Sequence, residues 1–195
     1  MPSQGPSNPA TAASINQGGT PIAWSTPNNI FTSNDVRAIA ANVTSVTPSE
    51  RLEATNFGFT IPGDATITSF DLTRERRAAN VVFNGIIEDT LKLIIGGVVG
   101  GDNAADPTQW ETTDTTYTAT GLFGLTPTPA EVNASNFGVA VIATGNGVGS
   151  SADAEVDNIT VTVTYTVPVF DPAVFPHSSQ YYPQVHRRQA RMIAF

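Results

Sequence analysis

The sequence predicts an all-β protein, an antiparallel β-sandwich of jelly-roll-like type with extended N- and C-terminal arms. Short stretches of alternating apolar and polar residues recur at roughly ten-residue spacing, with Gly and Pro turns between them. No stretch long enough for a helix carries apolar residues at helical spacing. Thr is abundant while Lys occurs once, at Lys92, a bias toward β-branched strands.

Residues 1–20 are rich in Pro, Ser, Gly, Asn, Ala and Gln, and such a composition cannot offset its own ordering entropy by burial. They are expected to form a flexible arm. From Trp24 the pattern changes. A Pro-Asn-Asn turn at 27–29 precedes an alternating strand over 36–46, and a second strand over 52–61 is closed by Pro62-Gly63-Asp64. Residues 65–77 alternate again. Residues 83–95 run into Gly96-Gly97 and Gly100-Gly101-Asp102, which point to a bulge or a long loop. Residues 102–111 read as a long connection and 112–120 as a polar strand. Residues 127–133 suit a single helical turn with Pro129 in its first position. Strands over 136–144 and 152–166 complete a sandwich placed at residues 21–167. An internal echo, Ala54-Thr55-Asn56-Phe57-Gly58 and Ala134-Ser135-Asn136-Phe137-Gly138, suggests two strands in similar surroundings, each Gly letting a neighbour approach closely.

At 195 residues the chain suits one domain. Charged residues make up only 13%, so Thr, Ser, Asn and Gly must cover the surface. The net charge is −8, unevenly placed: Arg187, Arg188 and Arg191 lie near the end, while residues 1–171 hold six cations against seventeen acids. A body this acidic disfavours nucleic acid, which needs clustered cations. There is no cysteine, which excludes disulfides, thiolate metal sites and a Cys nucleophile. No basic leader or apolar run of spanning length is present, so no membrane partner is expected.

Residues 168–195 change character again. Prolines at 168, 172, 176 and 183 are incompatible with a sheet interior, yet the segment is too aromatic for a solvated tail. It is expected to be an assembly arm, with Phe170, Phe175, Tyr181, Tyr182, Arg187, Arg188, Arg191 and Phe195 forming the interface.

Candidate chemistry is sparse. The two histidines, His177 and His186, lie in the Pro-rich tail, a poor place for a catalytic base. Asp102, Asn103 and Asp106 could offer oxygens to Ca²⁺, but turn residues bonding their own backbone are the preferred reading. Asp153, Glu155 and Asp157 share the strand parity of Ile159, Val161 and Val163. The inward face must therefore switch near Asp157, through a bulge or a buried, hydrogen-bonded Asp157. Trp24, Trp110 and Tyr117 could form a sugar-stacking platform, although core or loop-anchoring roles are commoner. Arg74 and Arg76 share one strand face, read as a wet face or an inter-subunit contact.

The blocks Trp24-x-x-Pro27-x-Asn29, Asp35-Val36, LEATNFGFTIPGDATI with the Arg-rich end of that strand, Trp110-x-x-x-Asp114, PAEVNASNFGVAV and AEVDNITVTVTYT, in that order, resemble a β-sandwich module of tailed-phage structural proteins and related bacterial surface proteins. The resemblance covers residues 24–166 and leaves both arms outside. It implies a jelly-roll-like domain in a virion with no catalytic residues. The expected function is a capsid decoration or cement protein that binds the shell, including the major capsid protein, and copies of itself, a trimer being one option. A carbohydrate-binding module of a tail fibre, baseplate or cell-surface protein is the alternative, which leaves a glycan open as a ligand. No cofactor is expected.

Overall fold

The computed structural model describes residues 1–168, whose regular structure is nearly all strand. The strands are β1 (Ser3–Ser7), β2 (Thr11–Ile15), β3 (Ala38–Thr44), β4 (Arg51–Thr55), β5 (Thr66–Val82), β6 (Ile86–Ile95), β7 (Val98–Gly100), β8 (Thr115–Gly121), β9 (Gly138–Gly145) and β10 (Ser151–Thr166). A 3-10 turn spans Pro27–Ile30, and the helix α1 (Pro129–Val132) lies between β8 and β9.

All strand pairs are antiparallel and form two sheets. One runs β1-β10-β5-β8, with β3 laid end to end with β1 along the same edge of β10; the other runs β2-β4-β9-β6-β7. From β3 onward every connection crosses to the other sheet except the β6–β7 hairpin. The order β3-β10-β5-β8 packed on β4-β9-β6-β7 is the eight-strand path of a jelly roll.

Local sequence explains the elements. Along β5 the residues Phe70, Leu72 and Ala78 are buried while Asp71, Thr73 and Glu75 between them are part-exposed, the two-residue period of a half-buried strand. In β10 the buried set passes from Ala152, Ala154 and Val156 to Ile159, Val161 and Val163. The ladder with β5 skips Asp157 at that point, where the register shifts between Val156 and Asn158. Both devices expected from the sequence occur together, a bulge and a buried Asp157. Helix α1 begins as expected, with Pro129 in its first turn and Thr128 and Glu131 forming a reciprocal capping box.

The echoed motifs lie side by side. Thr55 pairs with Gly138 across β4 and β9, and the Asn56 N–H donates to the Phe137 carbonyl at 3.2 Å. Phe57, Phe59 and Phe70 surround Phe137 with ring centroids 5.6–6.1 Å away. The two glycines serve different ends. A side chain on Gly138 would overlap the Ala54 carbonyl oxygen, whereas Gly58 has open space around it and a φ of +69°.

Three expectations are corrected. Residues 1–20 are not a free arm: β1 pairs with β10 and β2 with β4, so this segment adds a strand to each sheet. Its side chains carry no apolar pattern, but edge strands are held by backbone ladders, and Gly5 fits against the Val161 carbonyl where a Cβ would lie 2.6 Å away. Gly96-Gly97 is a two-residue hairpin turn between β6 and β7, both residues having positive φ, rather than a bulge or long loop. Residues 83–85 are a turn, and β6 starts at Ile86. The expected interface residues Phe170, Phe175, Tyr181, Tyr182, Arg187, Arg188, Arg191 and Phe195, with both histidines, lie outside the described residues.

Candidate interaction surface

Arg74 and Arg76 are not on a wet face. They continue the inward parity of Phe70 and Leu72 and are buried at 2% and 1% exposure. Arg74, on β5 of one sheet, grips Glu88, on β6 of the other, through Nε–Oε1 at 2.8 Å and Nη2–Oε2 at 2.5 Å. The Arg76 guanidinium lies 4.2 Å from the Tyr117 ring centroid and 4.7 Å from that of Trp110, favourable cation–π distances. Its carboxylate neighbours are farther off, Asp106 at 3.5 Å and Glu88 at 4.0 Å. Burial pushes the Arg76 guanidinium below its ordinary range, the Glu88 charge opposes that, and the like charge of Arg74 adds to it. The cluster joins the two sheets through the core.

The other polar candidates are also tied to the fold. Asp157 Oδ2 accepts from the Asn34 and Asp35 backbone N–H groups, each at 3.1 Å. Asp153 Oδ1 accepts from the Asn42 N–H at 2.7 Å and Glu155 Oε2 from Arg77 at 2.6 Å. Asn103 takes the place of a strand residue beside β6, accepting from the Leu91 N–H at 2.9 Å and donating to the Asp89 carbonyl at 2.7 Å. Asp106 Oδ1 accepts from the Thr108 N–H at 2.9 Å. At Asn103 and Asp106 these are the backbone-bonding roles preferred from the sequence. The sugar-stacking platform is absent, because Trp24 and Trp110 are buried at 3% and 1% exposure. Trp24 Nε1 donates to the Glu50 carbonyl at 2.7 Å.

One end of the sandwich carries an exposed apolar tip. The ends of β3, β5 and β9 meet the starts of β4, β6 and β10, since Ser151 pairs with both Thr44 and Val82 and Ile86 pairs with Gly145. The Asn146 N–H donates to the Gly85 carbonyl at 2.9 Å, fastening two of the turns. Val46 at 86%, Phe83 at 80% and Val148 at 100% exposure project there, with Val82 beside them at 46%. Phe83 has a φ of +54°, an uncommon conformation for a bulky residue. Two clefts flank Val46, one of about 320 Å³ shared with Val148 and one of about 180 Å³ against Gly18, Gly19 and Pro21. Residues 16–22, 44–48, 82–86 and 145–151 contain no Asp, Glu, Lys or Arg. Isolated exposed apolar residues are ordinary, but a grouped set rimmed by polar residues marks a contact site. Sequence spacing gave no hint of it, because the contributing turns are joined only by the sandwich topology.

By fold and by the use of its polar side chains, the described chain is a jelly-roll β-sandwich whose buried charges brace the core. No family model, no curated protein and no solved structure matches it.

Proposed function

We propose that the chain is a structural virion protein, a capsid decoration or cement protein that binds the shell and neighbouring copies of itself through residues 168–195. The observation that carries this is a separation of charge and aromatic content. Every arginine of the described residues is held in an ion pair with an acid of its own chain, and the remaining acids leave residues 1–171 at a net −11. Arg187, Arg188 and Arg191 follow that body in sequence, in a segment that also holds Phe170, Phe175, Tyr181, Tyr182 and Phe195. Aromatic anchors with arginine are the composition of a binding segment, and an acidic copy beside it supplies the matching charge, which favours docking and register. Jelly rolls occur in viral capsid proteins as well as in lectins and cupins, so the fold is compatible with this role without assigning it.

Removing residues 168–195 tests the proposal. The expected product is a folded sandwich by circular dichroism that no longer self-associates in sedimentation and no longer attaches to particles. A truncated chain that unfolds, from a parent that is monomeric, would show that the segment belongs to its own fold instead.

A further inference from the structure

We propose that the apolar tip formed by Val46, Phe83 and Val148 is the receptor for residues 169–195 of a neighbouring copy, so that copies join tip to root. This presupposes that the C-terminal segment is an assembly arm and adds the surface that receives it.

The tip supplies the chemistry that segment needs. Val46, Phe83 and Val148 are among the most exposed large apolar side chains of the described residues, and they sit within turns that carry no charge. The clefts on either side of Val46 offer separate recesses to side chains spaced along an extended, proline-punctuated strand, a recognised mode of binding for such segments. The aromatics at 170, 175, 181 and 182 lie between the prolines at 168, 172, 176 and 183, before the arginines begin at 187. The uncharged tip therefore matches residues 172–186, which hold Phe175, Tyr181 and Tyr182 and no Asp, Glu, Lys or Arg.

Geometry favours a second copy as the source. Strand β10 starts at the tip with Ser151 and ends at Thr166, about 50 Å away at roughly 3.3 Å per residue. Val167 and Pro168 are exposed there, and a residue before proline keeps to extended backbone, so the described chain ends on a course away from its own tip. Returning would require a reversal and then the whole length of the body. At about 3.1 Å per residue the segment beyond Pro168 spans up to about 85 Å, ample to cross to the tip of an adjacent copy.

The full chain has no cysteine, so Val148→Cys gives one attachment point for a benzophenone photo-crosslinker. Mixed ordinary and ¹⁵N-labelled copies are irradiated and the linked peptides identified by mass. Links from position 148 to residues 169–195 of the other isotopic form are expected. Links confined to one copy, links from tip to tip or to residues 1–168 only, or no links in an associated sample would overturn the proposal. Full-length Val46→Asp/Val148→Asp, both positions exposed, should keep its circular dichroism spectrum and associate at least about tenfold more weakly in sedimentation, as for loss of a central apolar anchor. Unchanged association of that variant would sink the tip as receptor while leaving the arm proposal intact. A wild-type chain that neither self-associates nor attaches to particles would defeat both.

Discussion

Arg74 and Glu88 form a two-pronged ion pair between the two sheets, with side-chain exposures of 3% and 0%. Glu88 also lies 4.0 Å from Arg76, so one carboxylate faces two buried guanidinium groups. Glu88→Gln should destabilise by about 3–5 kcal/mol, because it strands buried positive charge. Adding Arg74→Met removes the excess charge and should recover part of that loss. Urea unfolding of the single and double variants checks this, and additive losses would refute the charge-balance account.

Asp157 sits in the β10 bulge and holds the 34–35 turn through two backbone N–H groups. Asp157→Ala leaves both donors without that acceptor, and a loss of roughly 1–3 kcal/mol is expected. Hydrogen exchange should speed up at the Asn34 and Asp35 amides specifically. Unaltered exchange there would argue that the turn is held by something else.

Phe137 is fully buried at 0% exposure and touches three other rings, whereas Phe57 is 5% exposed. Phe137→Ala should therefore cost about 3–5 kcal/mol, with Phe57→Ala at the lower end of that range. Losses below about 1 kcal/mol at both would mean that the paired motifs are not core.

Gly138 and Gly58 occupy matching places in the echoed motifs but differ in what surrounds them. Gly138→Ala drives a methyl group into the Ala54 backbone and should cost about 1–3 kcal/mol or more. Gly58→Ala meets no atoms and should cost only the left-handed backbone penalty, roughly 1 kcal/mol. Equal losses in thermal unfolding would contradict the close β4–β9 approach.

Asp106 gives a pH signature. Burial alone would raise its pKa, but hydrogen bonds from Thr108 and the charges of Arg76 and Arg74 outweigh it, leaving the folded-state value below the ordinary one. A carboxylate lowered on folding contributes stability that is present above its unfolded pKa of about 3.9 and is lost as pH falls through the folded value. Asp106→Asn should narrow its stability gap from the parent as pH drops below about 4. A gap that stays constant across that range would exclude this contribution.

Much of the sandwich could be read from side-chain alternation and turn residues. Every strand from β3 onward except β7 overlaps a stretch singled out by its pattern, and the parity conflict at Asp157 announced the β10 bulge. Strands β1 and β2 could not be read this way, because an edge strand of Ser, Ala, Gly and Pro is held by backbone groups that every residue shares. The inward course of Arg74 and Arg76 was written in their parity with Phe70 and Leu72. Charge outweighed that signal until the Glu88 partner from the facing sheet was known. The apolar tip had no local signal at all, since Val46, Phe83 and Val148 come from separate turns in distant parts of the sequence.

The Tyr165 N–H donates to the Pro2 carbonyl at 3.1 Å, and Ser3 pairs with Thr164. Anything grafted ahead of residue 1 therefore emerges beside Pro168, at the root of the molecule, about 50 Å from the tip turns by the length of β10. For fusion with other sequences this makes the chain a two-ended fitting. Cargo fused at the front would crowd the segment that leaves at the root, whereas a short peptide inserted between Gly147 and Val148 would ride on the far end.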